Sequence, residues 1–232
     1  MGSVFGPITH VPVIFYIYLA TALFLLFFPR GWMRFGKRVS PKPPRKVNQT
    51  KVERDPYDRS PKPLQEAAKS RNWVDFFRAA ASGYAIMLVA EQWTADPEAA
   101  PTGWVLATVA VIWGFGTLVQ MVRIEGRLGL YAPVFFLQGL GVGVMGNVIG
   151  FIAMFGSWAL SPVLPGVGAL LFVQGAITLC LSLMIRDAQP ITGMLLAGVV
   201  WMPVLVSVLL KKRLTGSFDK KFKVVSRDGR DD

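Results

Sequence analysis

Apolar residues in this chain neither alternate nor keep to one helical stripe. They run in blocks of about twenty, separated by short polar breaks. Residues 11–28, 73–93, 103–122, 130–155, 165–185 and 191–210 each approach the length that carries a helix across a ~30 Å hydrocarbon core. The pattern predicts six membrane-spanning helices. Trp73 and Trp93 bracket the second block as interfacial anchors do. Pro133 and Pro203 accompany later blocks, where proline is tolerated once neighbouring groups satisfy the freed carbonyl. The first block is preceded by no Lys or Arg and lacks a signal-peptide cleavage pattern, so it reads as a retained span.

The breaks set the organisation. Residues 30–72 are polar and basic, and Pro41, Pro43, Pro44, Pro56, Pro61 and Pro63 forbid a continuous helix there. The remaining breaks, TADPEAAPT, RIEGRLG, SWALSPVL and RDAQP, leave no room for a soluble catalytic domain. The expected fold class is therefore an all-α integral membrane protein, a polytopic bundle of about six transmembrane helices with a basic, Pro-rich disordered loop between the first and second. Its parts are an N-terminal region with the first helix at 1–29, the loop at 30–72, a bundle of about five helices at 73–210 and a basic tail at 211–232.

Composition agrees with membrane residence: 53% of residues are hydrophobic, 17% are charged and the mean hydropathy is +0.45. The net charge of +11 is concentrated. Of 25 Lys and Arg, 13 lie between Arg30 and Arg71 and 8 between Lys211 and Arg230. An excess of basic residues marks the cytoplasmic side, so the 30–72 loop is expected there, with Arg123, Arg127 and Arg186 on the same side. Six crossings then deliver the basic tail to the opposite face, against the rule. One re-entrant segment, leaving five crossings, would remove the conflict; six is the expectation carried forward. The Asn48-Gln49-Thr50 sequon falls in the cytoplasmic loop and is expected to stay unmodified. A bacterial inner membrane is the expected location, with an organellar inner membrane as the alternative.

Candidate chemistry is sparse. Cys180 and His10 are single residues of their type, which excludes an intrachain disulfide, Cys-based zinc sites, Ser-His-Asp and Cys-His arrangements and multi-His metal sites. No catalytic residue, metal ligand or cofactor is predicted. Gly141, Gly143 and Gly146 match the dinucleotide spacing G-x-G-x-x-G, but no Asp or Glu follows before Asp187 and apolar sequence flanks both sides, so a pyrophosphate reading fails. The same stretch holds Gly139, Gly143, Gly146 and Gly150, at spacings that put all four on one helix face. Small residues so arranged admit another helix closely, and Asn147 beside them is expected to hydrogen-bond across the contact.

Gln120, Gln138, Asn147 and Gln174 are the candidate polar contacts or pore-lining residues. Gln138 and Gln174 sit in similar tetrads, FLQG at 136–139 and FVQG at 172–175, on spans expected to run antiparallel. An inverted repeat would suit a transporter, although four residues match easily in Gly-rich apolar sequence. Arg78 and Glu91 lie near span ends, where they are expected to snorkel to water, and no ionisable residue is expected at mid-depth.

The basic loop suits anionic headgroups or a partner that reads its two SPKP tetrads; nucleic acid is not expected, since nothing beyond charge supports it. The expected partners are the lipid bilayer and other membrane subunits or a second copy. The leading functional expectation is a non-catalytic membrane subunit that packs through the glycine face in a larger complex or homo-oligomer. The alternatives are a channel or transporter lined by Gln and Asn, and a lipid-modifying membrane enzyme.

Overall fold

The computed structural model describes residues 13–28, 66–94, 102–125, 127–185 and 190–216. The loop up to residue 65, with its SPKP tetrads and Asn48, lies outside the described residues, as do His10 and the tail from 217. The chain is a polytopic all-α membrane bundle. Its helices are α1 (Val13–Phe27), α2 (Ser70–Thr94), α3 (Thr102–Met121), α4 (Val134–Leu160), α5 (Val167–Met184) and α6 (Pro190–Leu209). By length and composition α2 to α6 are long and apolar enough to cross a membrane, while the 15 described residues of α1 reach only about 22 Å.

The block expected as one fourth span does not run straight. Gly146 has φ 75° and ψ 175°, a conformation essentially reserved for glycine, and α4 turns back on itself there. The rings of Phe135 and Trp158 are 5.8 Å apart, where a straight helix would separate these residues by about 35 Å. A Cβ added to Gly150 would strike the backbone of Val142, so the two arms touch close to the reversal. Helix α4 is thus a hairpin of two antiparallel arms, 134–145 and 147–160, each shorter than a ~30 Å hydrocarbon core. Periodicity cannot distinguish this from a single span, because both arms are apolar and the reversal is marked by one polar residue alone, Asn147.

The hairpin begins and ends at one end of the bundle. At that end a pocket little larger than a water is lined by Asn72 and Asp75 of α2 and by residues 131–136 at the start of α4. The segment RIEGRLG, expected as a plain turn, contributes to two strands, β1 (Val122–Glu125) and β2 (Arg127–Tyr131), which pair antiparallel with Val122 opposite Leu130. A third strand, β3 (Leu214–Thr215), adds to β2 in parallel, with Leu130 opposite Leu214, giving the order β1-β2-β3. Thr215 accepts a hydrogen bond from Ala132 N–H at 2.8 Å, and its hydroxyl donates to the Leu130 carbonyl at 2.9 Å. A Cβ on Gly216 would press on Val167, the first residue of α5.

These contacts correct the expected topology. The segment after α6 leaves from the same end as β2 and the start of α5, not from the opposite end. Arg186 lies outside the described residues; α5 runs away from β3, so its last residue, Met184, and the first residue of α6, Pro190, lie at the other end. Among the described residues, Lys69, Arg71, Arg78, Arg123, Arg127, Lys211, Lys212 and Arg213 all lie on segments at the sheet end. The arm 134–145 and α5 both start beside β3 and run in the same sense, so the FLQG and FVQG tetrads are parallel and do not form an inverted repeat.

The core lies between α2, the hairpin, α5 and α6, around Phe76, Leu137, Leu140, Met154, Leu171 and Leu196. Trp201 of α6 stacks on Phe172 and donates its indole N–H to that residue's carbonyl at 3.0 Å, tying α6 to α5. Outward-facing side chains such as Tyr84, Val111, Phe115, Phe172 and Leu205 are exposed and apolar, as lipid-facing positions should be.

Candidate functional site

Two polar groupings lie inside the bundle. One surrounds Arg78 at the sheet end; the other is the pair of buried amides Gln138 and Gln174, each on its own helix.

Helix α1 ends at Phe27, its last carbonyls must find donors outside the helix, and in a membrane each unpaired group costs several kcal/mol. Two side chains close on them. Arg78 donates through Nη1 to the carbonyls of Phe28 and, at 3.5 Å, Leu25. Gln120 donates through Nε2 to Leu26 at 3.2 Å and Phe28 at 3.1 Å. The two clamp residues are joined to each other, since Arg78 Nη2 donates to Gln120 Oε1 at 2.6 Å. Asp75, one turn before Arg78 on α2, brings Oδ1 within 3.2 Å of its Nε. The guanidinium also lies over the Phe136 ring at 5.5 Å, which links the cluster to the hairpin.

This arrangement departs from expectation in two ways. Arg78 is only 7% exposed and does not snorkel; its charge is balanced inside by Asp75, at 3% exposure, and by the negative end of the α1 dipole. Asp75 completes the site and escaped the reading of the sequence. The signal present was its spacing: Asp75 and Arg78 are three apart on one helix, a separation that brings an acid and a base together. Asn72, a further turn back, is 1% exposed and donates to the Glu66 carbonyl at 2.8 Å.

Gln138 is 0% exposed, and neither its amide nitrogen nor its oxygen has a hydrogen-bond partner among the described residues. Gln174, at 2% exposure, likewise leaves Oε1 without one. The buried hydroxyls of the bundle are quieter. Ser82, Thr117, Ser157, Thr178 and Ser182 each donate to a carbonyl three or four positions back on their own helix.

The four glycines have separate environments rather than one shared face. A Cβ on Gly139 would strike the carbonyl of Phe76, and one on Gly143 that of Ala80, so these two seat the first arm directly on α2. Gly146 is the reversal itself, with open space for 4 Å around the point where a Cβ would stand. Gly150 lets the second arm close on the first. All of these contacts are made within the chain. Asn147, expected to hydrogen-bond across a helix contact, is instead exposed at the hairpin tip, because the reversal at Gly146 turns it out of the packed face.

Among the described residues no group of three His, Cys, Asp or Glu is placed to hold a metal ion. Comparison with protein-family models, with curated proteins and with solved structures finds no match to this chain.

Proposed function

We propose that this chain is a non-catalytic integral membrane subunit, a compact helical unit that presents one strongly basic end to the cytoplasm and lipid-facing apolar surfaces to neighbouring spans. The observation that supports the reading best is the Arg78 cluster. The strongest charges inside the bundle are spent on closing the end of α1, where they hold three helices together. The glycine stripe no longer argues for a partner, since Gly139 and Gly143 receive α2 of the same chain. Contacts with other subunits therefore fall to the outer faces, and the basic segments serve anionic headgroups or a partner surface. With the hairpin re-entrant and α1 taken as a crossing beside α2, α3, α5 and α6, the five crossings put nearly all basic residues on one side, as the positive-inside rule requires of a bacterial inner-membrane protein.

Purification in mild detergent tests this reading. Other membrane proteins, or a second copy, should co-purify at fixed stoichiometry; a lone monomer from a gentle extract would sink it.

A second reading, a channel or transporter for a small neutral solute, is favoured by one observation. Gln138 is buried, without a hydrogen-bond partner among the described residues, on the helix that itself reverses within the bundle, and irregular backbone at membrane depth belongs to protein interiors or solute paths. Flux into liposomes that disappears with Gln138→Leu would displace the first reading in its favour.

A further inference from the structure

Lys211 is, among the described residues, the non-glycine residue with a positive φ, at 50°. It closes α6. Its N–H donates to the Val208 carbonyl at 3.1 Å, and the Lys212 N–H donates to Ser207 at 3.0 Å. These two bonds define a Schellman cap, whose left-handed residue is ordinarily glycine. A side chain kept at such a position, against its backbone preference, calls for a role outside the cap.

The surroundings supply one. Directly after the cap, Leu214 and Thr215 enter the sheet, so Lys211, Lys212 and Arg213 are held between two hydrogen-bonded elements instead of leading a loose tail. All three are exposed. Immediately before them the last turn of α6 presents Val208, Leu209 and Leu210, exposed at 68%, 79% and 50%. The carbonyls of Val206, Ser207 and Val208, which would repel an anion, are occupied by the N–H groups of Leu210, Lys212 and Lys211.

We propose that this triad and the apolar turn beneath it form a binding site for an anionic phospholipid. Lys211, Lys212 and Arg213 take the phosphate headgroup, and Val208, Leu209 and Leu210 receive the upper acyl chain. The apolar turn selects lipid over free phosphate, because only a lipid covers both parts. Fixing the cations in advance lowers the ordering cost of binding. The inference rests on membrane residence and is independent of the subunit reading.

The test uses the full-length protein in a neutral detergent, titrated with phosphatidylglycerol or with phosphatidylcholine of the same chains, and followed by thermal unfolding and by native mass spectrometry of bound lipid. Phosphatidylglycerol is expected to raise the unfolding temperature by several degrees, and phosphatidylcholine and inorganic phosphate to leave it unchanged. Each cation removed should weaken phosphatidylglycerol binding by about fivefold. Lys211→Gly is the discriminating variant: without lipid it should unfold at a higher temperature than the parent, yet respond less to phosphatidylglycerol. The pair Lys212→Gln and Arg213→Gln leaves the cap residue in place and should weaken binding further than Lys211→Gly alone. Replacing Lys220, Lys221 and Lys223 by Gln should leave binding intact. An undiminished response in Lys211→Gly and the pair, an equal response to phosphatidylcholine, a full response to inorganic phosphate alone, or loss only on replacing the distal lysines would each overturn the proposal.

Discussion

Phe135 and Trp158 belong to the same apolar block, twenty-three positions apart, yet their rings meet edge to face at 5.8 Å. The chain between them travels into the bundle and returns. Every element after it is thereby reversed in direction relative to a straight crossing, which moves the segment after α6 to the sheet end and the α5–α6 connection to the other.

That reversal is testable by chemical labelling. In a Cys180→Ser background, single cysteines at Val163 and Arg213 should react with a membrane-impermeant maleimide from one face, and cysteines at Thr94 and Thr102 from the other. If Val163 instead labels from the same face as Thr94, the block crosses once and the hairpin is wrong.

Gly146 and Gly141 both have open space where a Cβ would go, but only Gly146 has a backbone conformation that a side chain resists. Gly146→Ala should cost about 1–3 kcal/mol of stability while Gly141→Ala stays near neutral. Thermal or denaturant unfolding in detergent measures both, and equal losses would remove the conformational argument.

Gly139 and Gly143 face backbone carbonyls of α2, which cannot move aside as a flexible side chain can. Gly143→Leu should therefore disrupt folding far more than Gly168→Leu, since a Cβ on Gly168 meets only Val204, at 4.0 Å. For the milder Gly139→Ala the expected loss is about 1–3 kcal/mol or more, read from the same unfolding curves.

Arg78→Leu strips the α1 terminus of a donor and leaves Asp75 as a buried charge without its guanidinium. A loss of about 3–5 kcal/mol is expected, and adding Asp75→Asn should recover part of it by removing that charge. Lack of any recovery in the double variant would show that capping of α1, rather than the ion pair, carries the whole effect.

Gln138→Leu removes a buried amide that has no partner among the described residues, so stability should hold or rise, by up to about 1–3 kcal/mol. A clear loss of stability would instead reveal a partner, such as a bound water, that the amide holds in the folded protein.

Much of the fold was legible in the hydrophobic blocks, because a membrane helix announces itself by length alone: α2, α3, α5 and α6 lie within a few residues of the expected spans. What stayed hidden is direction. Gly146 looks like its neighbours in a helical projection, and its left-handed backbone shows only when the two arms are brought together by Phe135, Trp158, Val142 and Gly150. The basic tail did register the error in advance, since six crossings placed it on the wrong side of the charge rule. Of the site, Gln120, Gln138 and Gln174 were recognisable as polar residues at membrane depth. Arg78 was assigned to water, and Asp75 went unread, because a charge near a span end has an inexpensive route to solvent unless a tertiary partner lies closer. Here that partner is the end of α1, some fifty positions earlier in the chain.

The short strand β3 also bears on the timing of assembly. A ribosome releases Leu214 and Thr215 after all six helices have been made, and only then can β2 acquire its parallel neighbour and Ala132, at the foot of the hairpin, its acceptor. Until that moment the hairpin is held in the bundle by its contacts with the helices alone. These late-emerging residues are thus a latch on an element made some eighty residues earlier, and a nascent chain stalled before them would leave Ala132 without that acceptor.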